Sequence, residues 1–134
     1  MLRQLESDIR LLDALLYSSN DSYTMNFSNQ QAAAIQYAKK LIECSPFRRY
    51  RIKELSRLTG ISNTVLTSGF LHFYQITIGK YHLYTSMEYA KALLEGGMPM
   101  KEVFMLFDYQ SLANFNRAFK KVFGNLPSAY RLRK

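Results

Sequence analysis

The sequence predicts an all-α protein, with two helix-turn-helix units joined by a linker helix and an extra N-terminal helix in front of them. Three observations carry this. Apolar residues recur at steps of three and four, the spacing of one helix face. Alternation with period two is never sustained; the one strand-like run, residues 75–84, is interrupted by Gly79. Finally, two parts of the chain match each other at an offset of 48 to 49 residues, each with the outline of a short helix, a turn and a second helix.

Leu2, Leu5, Ile9, Leu12 and Leu16, widened by Leu11 and Leu15, predict a first helix over about 2–17. Residues 18–26 are turn formers. Ser28 with Gln31 three residues later reads as a capping box, and Phe27 as a hydrophobic staple. The helix so begun runs to about Cys44 and is stopped by Pro46. Next comes the first helix-turn-helix, about 52–75: a short helix with Ile52, Leu55 and Leu58 on its apolar face, small Ser56 at the crossing, Gly60 as the left-handed turn, then a helix from Asn63 to Tyr74, capped by Ser62 and packed by Val65, Leu66 and Phe70. A linker helix spans about 80–95 and is ended by Gly96 and Gly97. The second unit occupies about 100–124, with Val103 and Leu106 as the apolar residues, Asp108 at the turn, and a second helix over about 111–123 packed by Phe115, Phe119 and Val122. In the repeat, Ile52 corresponds to Met100. After one extra residue in the second copy, Leu66 corresponds to Phe115, Phe70 to Phe119, Gln75 to Gly124, Ile78 to Pro127 and Tyr81 to Tyr130.

Composition narrows the function classes. An apolar fraction of 48% over 134 residues supports a packed core. The net charge of +8 is uneven: residues 1–46 balance at −1, whereas residues 47–134 carry 14 Lys and Arg against five acids, +9. A basic C-terminal part points to a polyanion partner. Cys44 is the only cysteine, which excludes an internal disulfide and fits a reducing cytoplasm. It is expected to be a small buried residue. No apolar run reaches membrane-spanning length, and the start of the chain has no apolar stretch of the secretory kind. No nucleophile–base set, metal spacing or phosphate loop is present, so no enzyme, cofactor or metal site is expected. His72 and His82 read as surface or packing residues, and Phe70, Phe73, Tyr74, Tyr81, Tyr84 and Tyr89 as packing residues in preference to a base-stacking platform.

The string from Phe115 to Gly124, with Arg117, Phe119 and Lys120 in register, followed by Pro127, Tyr130 and Arg131, resembles the DNA-binding domain of the AraC/XylS family of transcription regulators. Gly69-Phe70 and the stretch from Thr77 to Tyr81 add to it in the first copy, and the resemblance covers about residues 30–134. It implies seven helices, with a linker helix that sets two recognition helices to enter successive major grooves of DNA, about 34 Å apart. Residues 28–134 are then the DNA-binding domain, and residues 1–27 an N-terminal helix and loop serving dimerisation or left from an effector-sensing domain. The base-contacting candidates implied are Asn63, Thr64, Thr67 and Ser68 in the first recognition helix and Leu112, Ala113, Asn114, Asn116 and Arg117 in the second. Asn and Arg suit adenine and guanine edges. Arg51, Lys53, Lys120, Lys121, Arg131, Arg133 and Lys134 are the phosphate-contacting candidates, which position without specifying. Double-stranded DNA is the partner, with RNA polymerase recruited or positioned and a homodimer through the N-terminal helix as further expectations.

Two features depart from the family pattern. Residues 62–75 contain no Lys or Arg, so contact there relies on hydroxyls, amides and methyl packing against thymine; Arg48, Arg49, Arg51, Lys53 and Arg57 just upstream supply a phosphate grip or else form a solvated face. In the second unit Phe104 stands where the family prefers Ala, and Asp108 where it prefers Gly. A large ring at a close crossing is expected to force helices apart, and Asp tolerates a left-handed turn better than most residues. These features also motivate an alternative: a degenerate member that works as a protein-interaction module, dimerising with or titrating another regulator.

Overall fold

A computed structural model describes residues 27–130. The stripe from Leu2 to Leu16 and the terminal cations Arg131, Arg133 and Lys134 lie outside the described residues. Among the described residues are six α-helices and no strand: α1 (Asn29–Cys44), α2 (Ile52–Thr59), α3 (Asn63–Tyr74), α4 (Ile78–Glu95), α5 (Met100–Leu106) and α6 (Leu112–Phe123), followed by a 3-10 turn, Pro127–Tyr130.

The chain forms two units. The first holds α1, α2, α3 and the residues to Tyr81; the second holds Ser45–Arg49 and the chain from His82 onward. The first is built on Ile35, Ala38 and Ile42 of α1, Leu55 of α2 and Leu66, Phe70 and Tyr74 of α3, closed by Ile78 and Tyr81. Gly69 lets α1 come close, since a Cβ there would stand 2.2 Å from Ile35 Cδ1. The ring of Phe27 lies against α3, 5.6 Å from Phe73 and 5.5 Å from His72. The second unit is built on Met87, Ala90 and Leu94 of α4, Val103 of α5, Phe107, and Phe115, Phe119 and Val122 of α6.

Local chemistry sets each boundary. At the start of α1, Ser28 and Gln31 exchange both bonds of a capping box, at 2.9 and 3.0 Å. Ser62 and Ser111 each accept the backbone N–H three residues on, at 3.1 Å, and so start α3 and α6. Thr77 does the same for α4 through the N–H of Lys80, which places that start two residues ahead of the predicted one. Helix α4 ends in a Schellman pair: Met98 N–H bonds Leu93 C=O, Gly97 N–H bonds Leu94 C=O, and Gly97 takes the left-handed conformation.

The duplication runs further than the matched helix-turn-helix outlines. Ile35, Ala38 and Ile42 of α1 are buried as Met87, Ala90 and Leu94 of α4 are, each 52 residues on. Lys39 pairs with Glu43 as Lys91 pairs with Glu95. Lys39 Nζ lies over the rings of Tyr74 and Tyr81, and Lys91 Nζ over those of Phe123 and Tyr130. Each unit is therefore three helices, α1–α2–α3 or α4–α5–α6. The linker helix is also the framing helix of the second unit.

Several expectations are corrected. Leu58 and Leu106, assigned to apolar faces, are 42% and 43% exposed, because each lies in the last turn of a short helix whose buried position is Leu55 or Val103. Cys44 is exposed, since it is the last residue of α1 and follows the final buried position, Ile42. Asp108 does not take a left-handed turn: Gln75 is the only non-glycine with positive φ among the described residues. Instead α5 closes with a bond from Phe107 N–H to Phe104 C=O, and Phe107 leaves in an extended conformation, so the second turn is longer and needs no left-handed residue. Phe104 packs against the second core. Half-buried, its ring packs edge-on against Phe115 at 6.1 Å within the second core.

Candidate nucleic-acid interface

Helix α3 turns Leu66, Phe70 and Tyr74 inward, which fixes what its other side shows. Asn63, Thr64, Thr67 and Ser68 are all exposed. Leu71, 46% exposed, continues the row at the position seven residues after Thr64. The Thr67 hydroxyl donates to Asn63 C=O at 2.9 Å and the Ser68 hydroxyl to Thr64 C=O at 2.6 Å, so both protons are spent on the helix's own backbone.

Helix α6 buries Phe115, Phe119 and Val122 and exposes Leu112, Ala113, Arg117, Lys120 and Lys121. Asn114 and Asn116 are half-buried. The Asn114 backbone N–H is held by the Ser111 cap, and its side-chain Oδ1 accepts a hydrogen bond from the Arg117 guanidinium. These two candidates thus form one preassembled polar group on the outer face. Asn116 differs: its Oδ1 is enclosed and makes no hydrogen bond. Lys120 and Lys121 also lie in the last turn of α6, where the helix dipole favours positive charge.

The upstream cations divide between the units. Arg51, Lys53 and Arg57, with Glu54, Ser56 and Asn63, line an open hollow where α2 meets the start of α3. Glu54 reaches back to the Arg51 backbone N–H at 3.3 Å, which fixes the start of α2. Arg48 and Arg49 belong to the second unit. Their loop is tied there by Phe47, edge-on to Tyr89 and Phe107 at 4.9 and 5.3 Å, by Arg49 over the Tyr109 ring at 4.8 Å, and by His82 Nε2 donating to Arg48 C=O at 2.6 Å. Burial pulls the His82 imidazole below its ordinary pKa, against the bond to Arg48, so the neutral tautomer with Nε2–H fits this contact. Burial also raises the Tyr109 phenol, outweighing Arg49.

Leu71 is the member of the outer row that the sequence reading passed over. The signal was available: with Ser62 as cap, a period of 3.6 puts Leu71 between Thr64 and Thr67 and away from Leu66 and Phe70. Of the aromatic residues weighed for base stacking, Phe70, Tyr74 and Tyr81 are buried in the first core, and Phe73 and Tyr84 pack against the first and second cores, whereas Tyr89 is 41% exposed, edge-on to Phe47. Among the described residues, no three of His, Cys, Asp or Glu gather as a metal site, and no helix is long and apolar enough to cross a membrane.

Two helices of twelve residues, each capped by Ser and each preceded by a shorter helix, define a tandem helix-turn-helix protein. Residues 55–133, more than half of the chain, match the family model described as a helix-turn-helix domain, and the chain belongs to that family, the AraC type of DNA-binding transcription regulator. Its fold is similar to that of the C-terminal domain of AraT, a response regulator from Geobacillus stearothermophilus, at a TM-score of 0.63 and 24% identity over 78% of this chain and 85% of that one. No curated protein matches the sequence.

Proposed function

We propose that the chain binds specific sites in double-stranded DNA, with α3 and α6 reading successive major grooves, and that it regulates transcription by positioning RNA polymerase there. The observation that carries this reading is the pair of like-built helices with outward rows of short or cationic side chains, Thr64, Thr67 and Ser68 on one and Ala113, Asn114 and Arg117 on the other. Arg117, held by Asn114, serves a guanine edge; Lys120 and Lys121, with Arg51, Lys53 and Arg57 on the first unit, serve phosphates. The terminal cations Arg131, Arg133 and Lys134 add to that grip.

Selection of bound duplexes from a random pool tests the proposal. The expected product is two short boxes about one helical turn, roughly 10 base pairs, apart. Arg117→Ala should weaken binding by about 1–3 kcal/mol and relax the preference within one box only. A pool that returns no shared sequence would favour the rival reading, a module that pairs with another regulator.

A further inference from the structure

We infer that the first recognition helix selects its box through the 5-methyl groups of thymine, by way of Thr64, Thr67 and Leu71, and leaves hydrogen-bonding readout to the second. The inference rests on the DNA-binding reading above and adds the chemistry by which one half of the site is chosen.

Helices α3 and α6 can be compared position by position at the offset of 49. Where α6 has Ala113, Asn116, Arg117 and Lys120, α3 has Thr64, Thr67, Ser68 and Leu71. Every cationic position of the one is a neutral position of the other, and Lys120 is replaced by an exposed leucine. A hydroxyl has one proton to give. Those of Thr67 and Ser68 go to the carbonyls of Asn63 and Thr64, so neither side chain donates to guanine O6 or thymine O4. With its hydroxyl tethered along the helix, Thr67 offers its methyl to whatever approaches from outside. Thr64 and Leu71, one turn before and one turn after it in the same row, extend that apolar strip over the middle of the exposed face. Asn63, the one amide of the group, lines the hollow with Arg51, Lys53 and Arg57, on the side where phosphate is gripped.

What fits such a strip is a major-groove edge that is itself methylated. Thymine is the only base with a methyl in that groove, and contact with it is the apolar mode of direct readout. The cations that flank the strip favour DNA over an apolar protein surface as occupant. Arg51, Lys53 and Arg57 are all exposed beside it, on the same unit. Phosphates on both sides of a groove need such cations, whereas a protein partner of apolar chemistry does not.

The experiment uses the full chain and a duplex recovered by selection. Each thymine is replaced in turn by deoxyuridine, which removes the methyl and leaves every hydrogen-bonding group in place. Burying a methyl is worth roughly fourfold in affinity. Replacement in one box should therefore weaken binding about fourfold for each contacted base, and replacement in the other should weaken it less. Thr67→Ser keeps the hydroxyl and its backbone bond but loses the methyl; it and Leu71→Ala should each bring the thymine-to-uracil ratio at one position toward one. Both positions are exposed, so circular dichroism should show an unchanged fold. A ratio near one in both boxes overturns the inference, as do equal ratios in the two boxes or ratios that neither variant moves. Failure to recover any duplex would instead overturn the DNA-binding reading, and would be seen before any base is replaced.

Discussion

Gln75 and Gly124 close α3 and α6 in the same left-handed turn, at φ 58° and 78°. Glycine takes this conformation without steric cost, whereas a residue with a Cβ is about 1–2 kcal/mol worse there. Gln75 recovers part of that by donating from Nε2 to His72 C=O at 2.8 Å. Gln75→Gly should therefore stabilise the protein by up to about 1 kcal/mol, while Gly124→Ala destabilises it by roughly 1 kcal/mol. Denaturant titrations of the two variants would check this, and effects of the same sign would refute it. The same scale shows how far the candidate site was legible. Caps and the 3.6-residue period gave the phase of α3 and α6, and that phase puts Asn63, Thr64, Thr67, Ser68, Ala113 and Arg117 outside. Leu112 is exposed as well, and residue type alone does not show that Asn114 and Asn116 are half-buried. Leu71 was passed over as one more apolar residue and Asn116 taken for a surface one, because hydrophobicity was read without the angle at which each side chain leaves the helix.

At the scale of elements, six of the twelve described helix ends follow from a cap or a breaker in the sequence: Ser28, Ser62, Ser111, Gly60, Gly97 and Gly124. Helix α4 starts two residues ahead of the predicted 80, because Thr77 caps it and Gly79 lies within its first turn. The larger miss was the kinship of α1 and α4. Residues 37–43, Tyr-Ala-Lys-Lys-Leu-Ile-Glu, and 89–95, Tyr-Ala-Lys-Ala-Leu-Leu-Glu, are nearly the same string, but one was read as an opening helix and the other as a connector. An offset of 52 there and 48 to 49 further on hides the alignment, since the turn between the first two helices of each unit differs in length. Element α5 supplies the next prediction. The family preference for Ala at position 104 suggests that Phe104→Ala would tighten the crossing. The packing says the reverse: the ring is part of the second core, against Phe115. Removing it should lower stability by roughly 1–3 kcal/mol, less than the 3–5 kcal/mol for a fully buried Phe because Phe104 is half-buried. Thermal melts with Tm raised in the variant would show that the crossing, and not the ring, controls this unit.

For the molecule as a whole, the net charge of +8 says less than where the charges lie. If binding were attraction between a basic protein and a polyanion, any exposed lysine would contribute alike. Local neutralisation of phosphates predicts otherwise. Each phosphate neutralised contributes about 0.9 to the slope of log affinity against log salt. Lys120 and Lys121 stand exposed on α6, and Lys53 and Arg57 on α2 beside the start of α3. Lys120→Ala with Lys121→Ala should lower the slope by about two, and Lys53→Ala with Arg57→Ala by a similar amount. Lys40, exposed on the framing helix α1 and outside either recognition row, should leave the slope unchanged when replaced by Ala. The base preferences recovered by selection should survive both double replacements, because phosphate contacts position the protein without reading sequence. Salt titrations of the four proteins on one selected duplex separate the cases. A slope that falls equally for Lys40→Ala would mean that overall charge, not two phosphate grips flanking two reading helices, holds the protein on DNA.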